Sequence, residues 1–151
     1  MSASTQRPAP QVTTTLQGRV IRHDQEWGMS VVFVGDGELR VPLIDAEIDK
    51  PVLIAIDGRD VAVALSRPMD VSITNRLPGT IVEIERLAQP YSRVRFDLGC
   101  TVLDALVTWE SVDRLALEPG LRAWAMIKSV AIGPSALRPS EAPAPRAWPG
   151  R

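Results

Sequence analysis

A single cysteine, Cys100, in 151 residues rules out an internal disulfide, and one histidine, His23, leaves no cluster of metal ligands at binding spacing. The same scarcity removes any nucleophile–base pair built on Cys or His, so catalysis finds no support. Aromatic residues make up 5%, too few for a single-strand stacking platform, and Trp109 and Trp124 are expected to pack under a helix or in an interface. A net charge of −1, from 17 basic and 18 acidic residues without long runs, leaves no basic footprint for nucleic acid. No run approaches the roughly 18 apolar residues of a membrane span, and no basic segment followed by an apolar one opens the chain. The expectation is no membrane insertion and a cytoplasmic location. Gly-x-x-x-x-Gly-Lys-Ser/Thr is absent as well, so the sequence has no loop of that kind to cradle nucleotide phosphates. Lysine is almost missing: Lys50 and Lys128 stand among the 17 basic residues.

What is present is a series of short strands between two polar, Pro-rich ends. Residues 1–14 and 133–151 are too rich in Pro, Ser, Thr and Ala to bury a core, and are expected to be disordered tails. Between them, strands are expected over 16–22, 29–34, 38–43, 51–57 and 60–65, with a Gly35-Asp36-Gly37 hairpin. After a linker around Pro68, the pattern restarts with strands over 79–85, 93–98 and 101–107. A short helix follows over 108–115, N-capped by Thr108 or Ser111, and last strands over 123–132. Residues 93–98 alternate charged and apolar throughout, as a strand with one wet face requires. His23 is expected in a loop before Trp27-Gly28.

The two halves repeat. Leu16-Gln17-Gly18 matches Leu77-Pro78-Gly79. Ile54-Ala55-Ile56 with Val61-Ala62-Val63 matches Trp124-Ala125-Met126-Ile127 with Val130-Ala131-Ile132. The fold class expected is all-β: tandem small Greek-key barrels of the oligonucleotide/oligosaccharide-binding type, over 15–67 and 70–132, with one short helix in the second.

The chemistry concentrates at Ser72-Ile73-Thr74-Asn75-Arg76-Leu77-Pro78-Gly79 and at Ile127-Lys128-Ser129. In an extended segment Ser72 and Thr74 would share a face and Asn75 would turn to the other. Hydroxyls, an amide, backbone N–H groups and one lysine suit a small, fully ionised oxyanion, which accepts hydrogen bonds and donates none. The same residues would also serve as a polar interdomain turn, with Lys128 a solvated strand residue and Thr108 an ordinary N-cap.

Ser-x-x-Asn-x-Leu-x-Gly at 72–79 and Trp-Ala-x-Ile-Lys-Ser at 124–129 resemble the molybdate-binding Mop/TOBE domain family. Residues 16–132 as a whole resemble the C-terminal regulatory region of the ATP-binding subunits of molybdate ABC importers. The resemblance implies a barrel pair that dimerises, or forms a higher homo-oligomer, and binds molybdate or tungstate between protomers, with no cofactor and no cationic metal. It implies regulation of molybdate transport or homeostasis, with molybdate ABC transporter subunits as partners and a position peripheral to the inner membrane. Ligands carried over are Ser72, Thr74, Asn75, Arg76, Thr108, Lys128 and Ser129. Thr74 stands where the family usually has Arg, with Arg76 displaced by two on the same strand face, so the charge is either supplied from there or lost. In the first half the counterparts are Gln11, Thr13 and Thr14, with no Ile-Lys-Ser, so a weak or absent site is expected there. The alternatives are a structural or adaptor dimerisation module and an OB-type single-strand nucleic-acid binder.

Overall fold

Leu16, Gly18 and Val20 are buried while Thr15 and Gln17 are exposed, so residues Thr13–Asp24 form a strand, β1, with one wet face. The same logic builds β2 (Met29–Phe33), β3 (Glu38–Pro42), β4 (Pro51–Asp57) and β5 (Val61–Ala64). The second half gives β6 (Asn75–Arg86), β7 (Tyr91–Asp97), β8 (Val102–Thr108), the helix α1 (Trp109–Arg114), β9 (Arg122–Ile127) and a last short strand, β10 (Leu137–Pro139). The structure is a computed structural model, and it describes residues 5–35, 37–67 and 69–140. Asp36, Pro68 and residues 141–151, the body of the Pro-rich tail, lie outside the described residues.

In each half three strands follow one another antiparallel and the fourth returns beside the first, in the spatial order β4-β1-β2-β3 and β9-β6-β7-β8. That order is a Greek key. The expected all-β tandem of small OB-like barrels, with one short helix in the second, is what the chain forms. A bulge falls at the same place in both long strands, between Val20 and Arg22 in β1 and between Ile81 and Glu83 in β6. An extra residue bends the strand and increases its twist. Each long strand can therefore pair one way with its N-terminal part and the other way with its C-terminal part: 13–19 with β4 and 19–24 with β2. Gly79 sits inside β6 rather than at a strand start. It is required for space, because a Cβ there would lie 2.8 Å from the Asp97 carbonyl oxygen.

The halves are not closed separately. Strand β5, from the first half, pairs with β9 (Val61 with Ile127, Ala64 with Trp124), and β10, from the second, pairs with β4 (Leu137 with Ile54, Pro139 with Val52). Each half lends its closing strand to the other. One continuous apolar core accordingly runs from Leu16 through Ile56, Leu77 and Phe96 to Ile132. The boundaries expected at 15–67 and 70–132 divide the sequence but not the sheets. Only the inner ends of the expected tails are corrected, since residues 1–4 and 141–151 lie outside the described residues. Thr13 and Thr14 belong to β1, Val12 is buried, and residues 134–139 form a 3-10 turn and β10. Leu137 and Ala136 pack on the core, which supplies the burial that the Pro-rich composition seemed to deny them.

A further correction concerns 130–132. The β-branched run there is not a strand but a 3-10 turn, Ser129–Ala131, ended by the buried Ile132. The pairing of Leu16 with Ile54 and of Leu77 with Ala125 makes Ile54 the counterpart of Ala125, one residue away from the alignment expected above. Asp57 and Gly58 then correspond to Lys128 and Ser129. The halves also differ after their third strands. Where α1 follows β8, the first half has a loop held by His23, which lies in β1 and not in a loop. Its Nδ1 lies 2.8 Å from Ser30 Oγ and its Nε2 2.6 Å from the Ala46 carbonyl, while Ser30 Oγ accepts the Ile44 N–H at 2.9 Å. The ring thereby ties β1 to β2 and to the loop after β3. A structural hydrogen-bonding role accounts for the chain's one histidine.

Candidate functional site

The two halves are latched by related residues. Thr14 Oγ1 accepts the Asp104 N–H at 3.0 Å. At the counterpart position Asn75 Oδ1 accepts the Arg40 N–H at 2.8 Å and Asn75 Nδ2 donates to the Arg40 carbonyl at 2.9 Å. Arg40 is in β3, so the second half's first strand is fastened to the first half's third. Asn75 is 2% exposed, and a buried amide with its oxygen and nitrogen both bonded to backbone holds one orientation.

Beside this latch lies the polar cluster. Ser129 Oγ is 3.0 Å from Thr74 Oγ1 and accepts from Asn75 Nδ2 at 3.3 Å. Thr74 and Asn75 thus reach the same hydroxyl, against the opposite faces expected for an extended segment. The reason is local: β6 starts at Asn75, and 71–74 are irregular with a bend at Ser72. Lys128, exposed, precedes Ser129 at the start of the 3-10 turn, which no side chain caps. Lys128 and Ile73 line a cavity of about 210 Å³ together with Arg59, Asp60, Met126 and Ala131.

The remaining expected residues are less gathered. Ser72 is exposed in its bend, and Arg76, half-buried, pairs with Met126 across β6 and β9. Thr108 is not brought to the cluster within one chain. It stands opposite Tyr91, at the end of the sheet near Arg86, whereas Asn75 begins β6 at the far end. Its hydroxyl accepts the Ser111 N–H at 3.0 Å and donates to Ser111 Oγ at 3.0 Å, as an N-cap should. Sequence reasoning missed Arg40 and Arg59. Arg40 acts through its backbone and leaves no residue-type signal. Arg59 would have come into view had Asp57 been aligned with Lys128.

The first half's counterpart of the cluster is chemically inverted. Asp57 occupies the place of Lys128, and its Oδ1 caps the turn Gly58–Asp60 by accepting the Arg59 N–H at 2.9 Å. Gly58 occupies the place of Ser129. A Cβ on it would lie 2.9 Å from Val12 Cγ1 and 3.2 Å from the Leu106 nitrogen, so a serine hydroxyl has no room. Where the second half offers an ammonium and a hydroxyl, the first offers a carboxylate and a valine methyl.

Elsewhere a network of charges is paired. Across β6, β7 and β8, Arg93 bonds Glu83 and Glu85, and Arg95 forks onto Asp104 at 2.8 and 3.0 Å, with Arg93 also 3.3 Å from Asp104. Burial pushes the Asp104 carboxyl up, but hydrogen bonds from Arg95 and the charges of Arg95 and Arg93 outweigh it and hold it below the usual carboxylate range. Arg93 likewise lowers Glu83, and Arg59 lowers Asp57. A carboxyl depressed on folding adds stability above its unfolded value, about 3.9 for Asp, that is lost as pH falls through the folded value. Denaturant melts should therefore show stability falling below about pH 4. Asp104→Asn should cost about 2 kcal/mol at pH 7 and flatten that acid loss, since it removes an acceptor that is 8% exposed and shared by two guanidinium groups. Equal pH profiles for the parent and the variant would contradict this assignment. These pairs set the β7 arginines against carboxylates of β6 and β8.

Tandem Greek-key barrels that exchange closing strands, with a hydroxyl–amide cluster and a lysine at their joint, define a duplicated β-barrel module. Residues 71–133 match the TOBE domain. Over 117 residues the chain is 40% identical to the molybdenum import ATP-binding protein ModC of Rhizobium meliloti, covering 78% of this chain and 33% of the relative. ModC of Mesorhizobium japonicum is 40% identical over 116 residues, 76% of this chain and 31% of the relative. The chain thus spans about a third of the length of these relatives. Among solved structures, the cytoplasmic molybdate-binding protein ModG, in a form with molybdate bound, superposes with a TM-score of 0.71 at 22% identity, covering 84% of this chain and 96% of that one. That likeness supports the fold. Among the described residues, no helix is long and apolar enough to cross a membrane.

Proposed function

We propose that the chain binds molybdate or tungstate at the cluster formed by Thr74, Asn75, Lys128 and Ser129, with Ser72 and Arg76 beside it. The observation that carries this reading is the convergence of the Thr74 and Ser129 hydroxyls and the Asn75 amide at one point next to Lys128. Kinship with molybdenum import ATP-binding proteins supports the choice of oxyanion. Thr108 joins the set only if a second copy presents it, so the reading includes a homodimer or higher homo-oligomer with the anion between copies. The site works by binding and makes no bond. In the cell it reports the oxyanion level, in the cytoplasm and peripheral to the inner membrane, to molybdate ABC transporter subunits or to intracellular molybdate homeostasis. Selectivity follows from size: donors spaced for a large tetrahedral dianion leave sulfate with stretched bonds, at about 1–3 kcal/mol for each donor left unsatisfied.

The test is a thermal melt at fixed protein concentration with molybdate, tungstate, sulfate and phosphate. A ligand at a hundred times its Kd stabilises by about 2.7 kcal/mol, which for a protein of this size raises Tm by roughly 5–10 °C. Molybdate or tungstate should give that rise and sulfate should not. Equal shifts with sulfate, or none with either metal oxyanion, would refute the reading.

A further inference from the structure

The cavity that Lys128 lines has a second cationic wall, and it comes from the other half of the chain. Arg59 lies between β4 and β5, in the first half by sequence. Strand β5 crosses into the second sheet, where Val61 pairs with Ile127. The crossing carries Arg59 and Asp60 to the rim at which β9 ends, and there they line the same 210 Å³ cavity as Lys128. From this placement we infer that Arg59 is a binding residue of the oxyanion site, lent by the first half to the second. The inference rests on the oxyanion reading above and adds a residue to it.

Three observations carry it. First, of the four residues gathered in the cluster, Thr74, Asn75, Lys128 and Ser129, Lys128 alone carries a charge, with Arg76 on the strand beside it, so a dianion there has room for a further cation. Arg59 supplies a guanidinium, whose fork suits two oxygens of a tetrahedral anion. Second, Arg59 is held by a partner that can be exchanged. Its Nε lies 3.2 Å from both Asp57 oxygens and its Nη2 2.8 Å from Oδ2, and the Arg59 side chain is 66% exposed. An exposed ion pair of this kind is worth little, so a dianion can take the guanidinium at small cost. Third, Asp57 stands where Lys128 stands in the second half. The substitution that closes the first half to anions thus also positions the cation for the second. Asp60 faces the cavity too, so the lining sets two cations against one carboxylate.

Calorimetric titration of the full chain with sodium molybdate tests this, with sulfate as control. Arg59→Gln should weaken molybdate binding about tenfold, the loss of one charge-assisted contact, while the Tm without ligand stays within about 1 °C of the parent. Arg59→Lys should recover most of the affinity, since the charge returns without the fork. Asp57→Asn, which releases Arg59 from its carboxylate, should tighten binding about threefold, an effect that a merely structural Asp57–Arg59 pair would not produce. If the parent binds molybdate and Arg59→Gln binds it equally well, the inference fails while the oxyanion reading stands. If the parent binds no molybdate, the oxyanion reading fails and takes the inference with it.

Discussion

Replacing Asn75 with alanine is expected to lower stability by about 3 kcal/mol, enough to drop Tm by roughly 6–12 °C in a protein of this size. The residue looks like a ligand by type, but its first task is mechanical. Its amide closes a two-bond bridge to the Arg40 backbone, at 2.8 and 2.9 Å, and its other N–H reaches Ser129. Truncation leaves the Arg40 N–H and carbonyl at the joint without these partners, and each unsatisfied buried group costs about 1–3 kcal/mol. Thr14→Val, at the related latch, removes one acceptor from one N–H and should cost about a third as much. Urea melts of both variants decide the matter: a loss below 1 kcal/mol for Asn75→Ala would show that the latch does not hold the halves together. Because Asn75 also orients Ser129, the variant should lose oxyanion affinity beyond its loss of stability.

The duplicated chain is symmetrical in its backbone and asymmetrical in its chemistry. Bulges, Greek keys and exchanged strands recur in both halves, because a half that lends its closing strand buries its core only if it receives one in return. The polar residues at the joint are freed from that requirement. One copy keeps Thr74, Asn75, Lys128 and Ser129 together. The other has Asp57, and Gly58 packed so closely on Val12 that a side chain there has no room. Under the oxyanion reading proposed above, the first half would serve as a platform for the site in the second.

Much of this architecture was legible in the sequence, for particular physical reasons. The strict alternation at 93–98 marks β7, the glycines around position 36 mark the β2–β3 hairpin, and Thr108 caps α1 as its type suggests. The exchange of β5 and β10 was not legible, since period-2 burial tells which face of a strand is covered but not which strand lies beside it. Residues 137–139 follow a proline in a stretch of low hydropathy, and only pairing with β4 makes them a strand. Val130, 76% exposed, and Ile132, buried, read as neighbours in a strand because both are β-branched, yet a 3-10 turn separates them. At the site, the residue types at 72–75 and 128–129 were readable. The arrival of Arg40 and Arg59 from the other half was not, because it depends on the exchange.

Reversing the charge at Lys128 is expected to abolish oxyanion binding, and the chain itself carries the precedent. Lys128→Asp copies Asp57, the residue at the related position in the first half. Two unit charges at about 4 Å interact by about 1 kcal/mol in water and about 4 kcal/mol near a protein surface. Exchanging attraction for repulsion against a dianion therefore costs more than about 2.7 kcal/mol, at least a hundredfold in Kd. Lys128 is exposed at the start of its turn, so the unliganded Tm should hardly move. Titration with molybdate at two salt concentrations separates the possible outcomes. The parent should weaken as salt rises, because its attraction is screened, and the variant should show no heat of binding at either concentration. A variant that still binds within tenfold of the parent would place the anion elsewhere on the molecule. Pairing Lys128→Asp with Asp57→Lys would then ask whether the first half can be made the binding half, and Val12, packed against Gly58, is the obstacle that a further Val12→Ala substitution would remove.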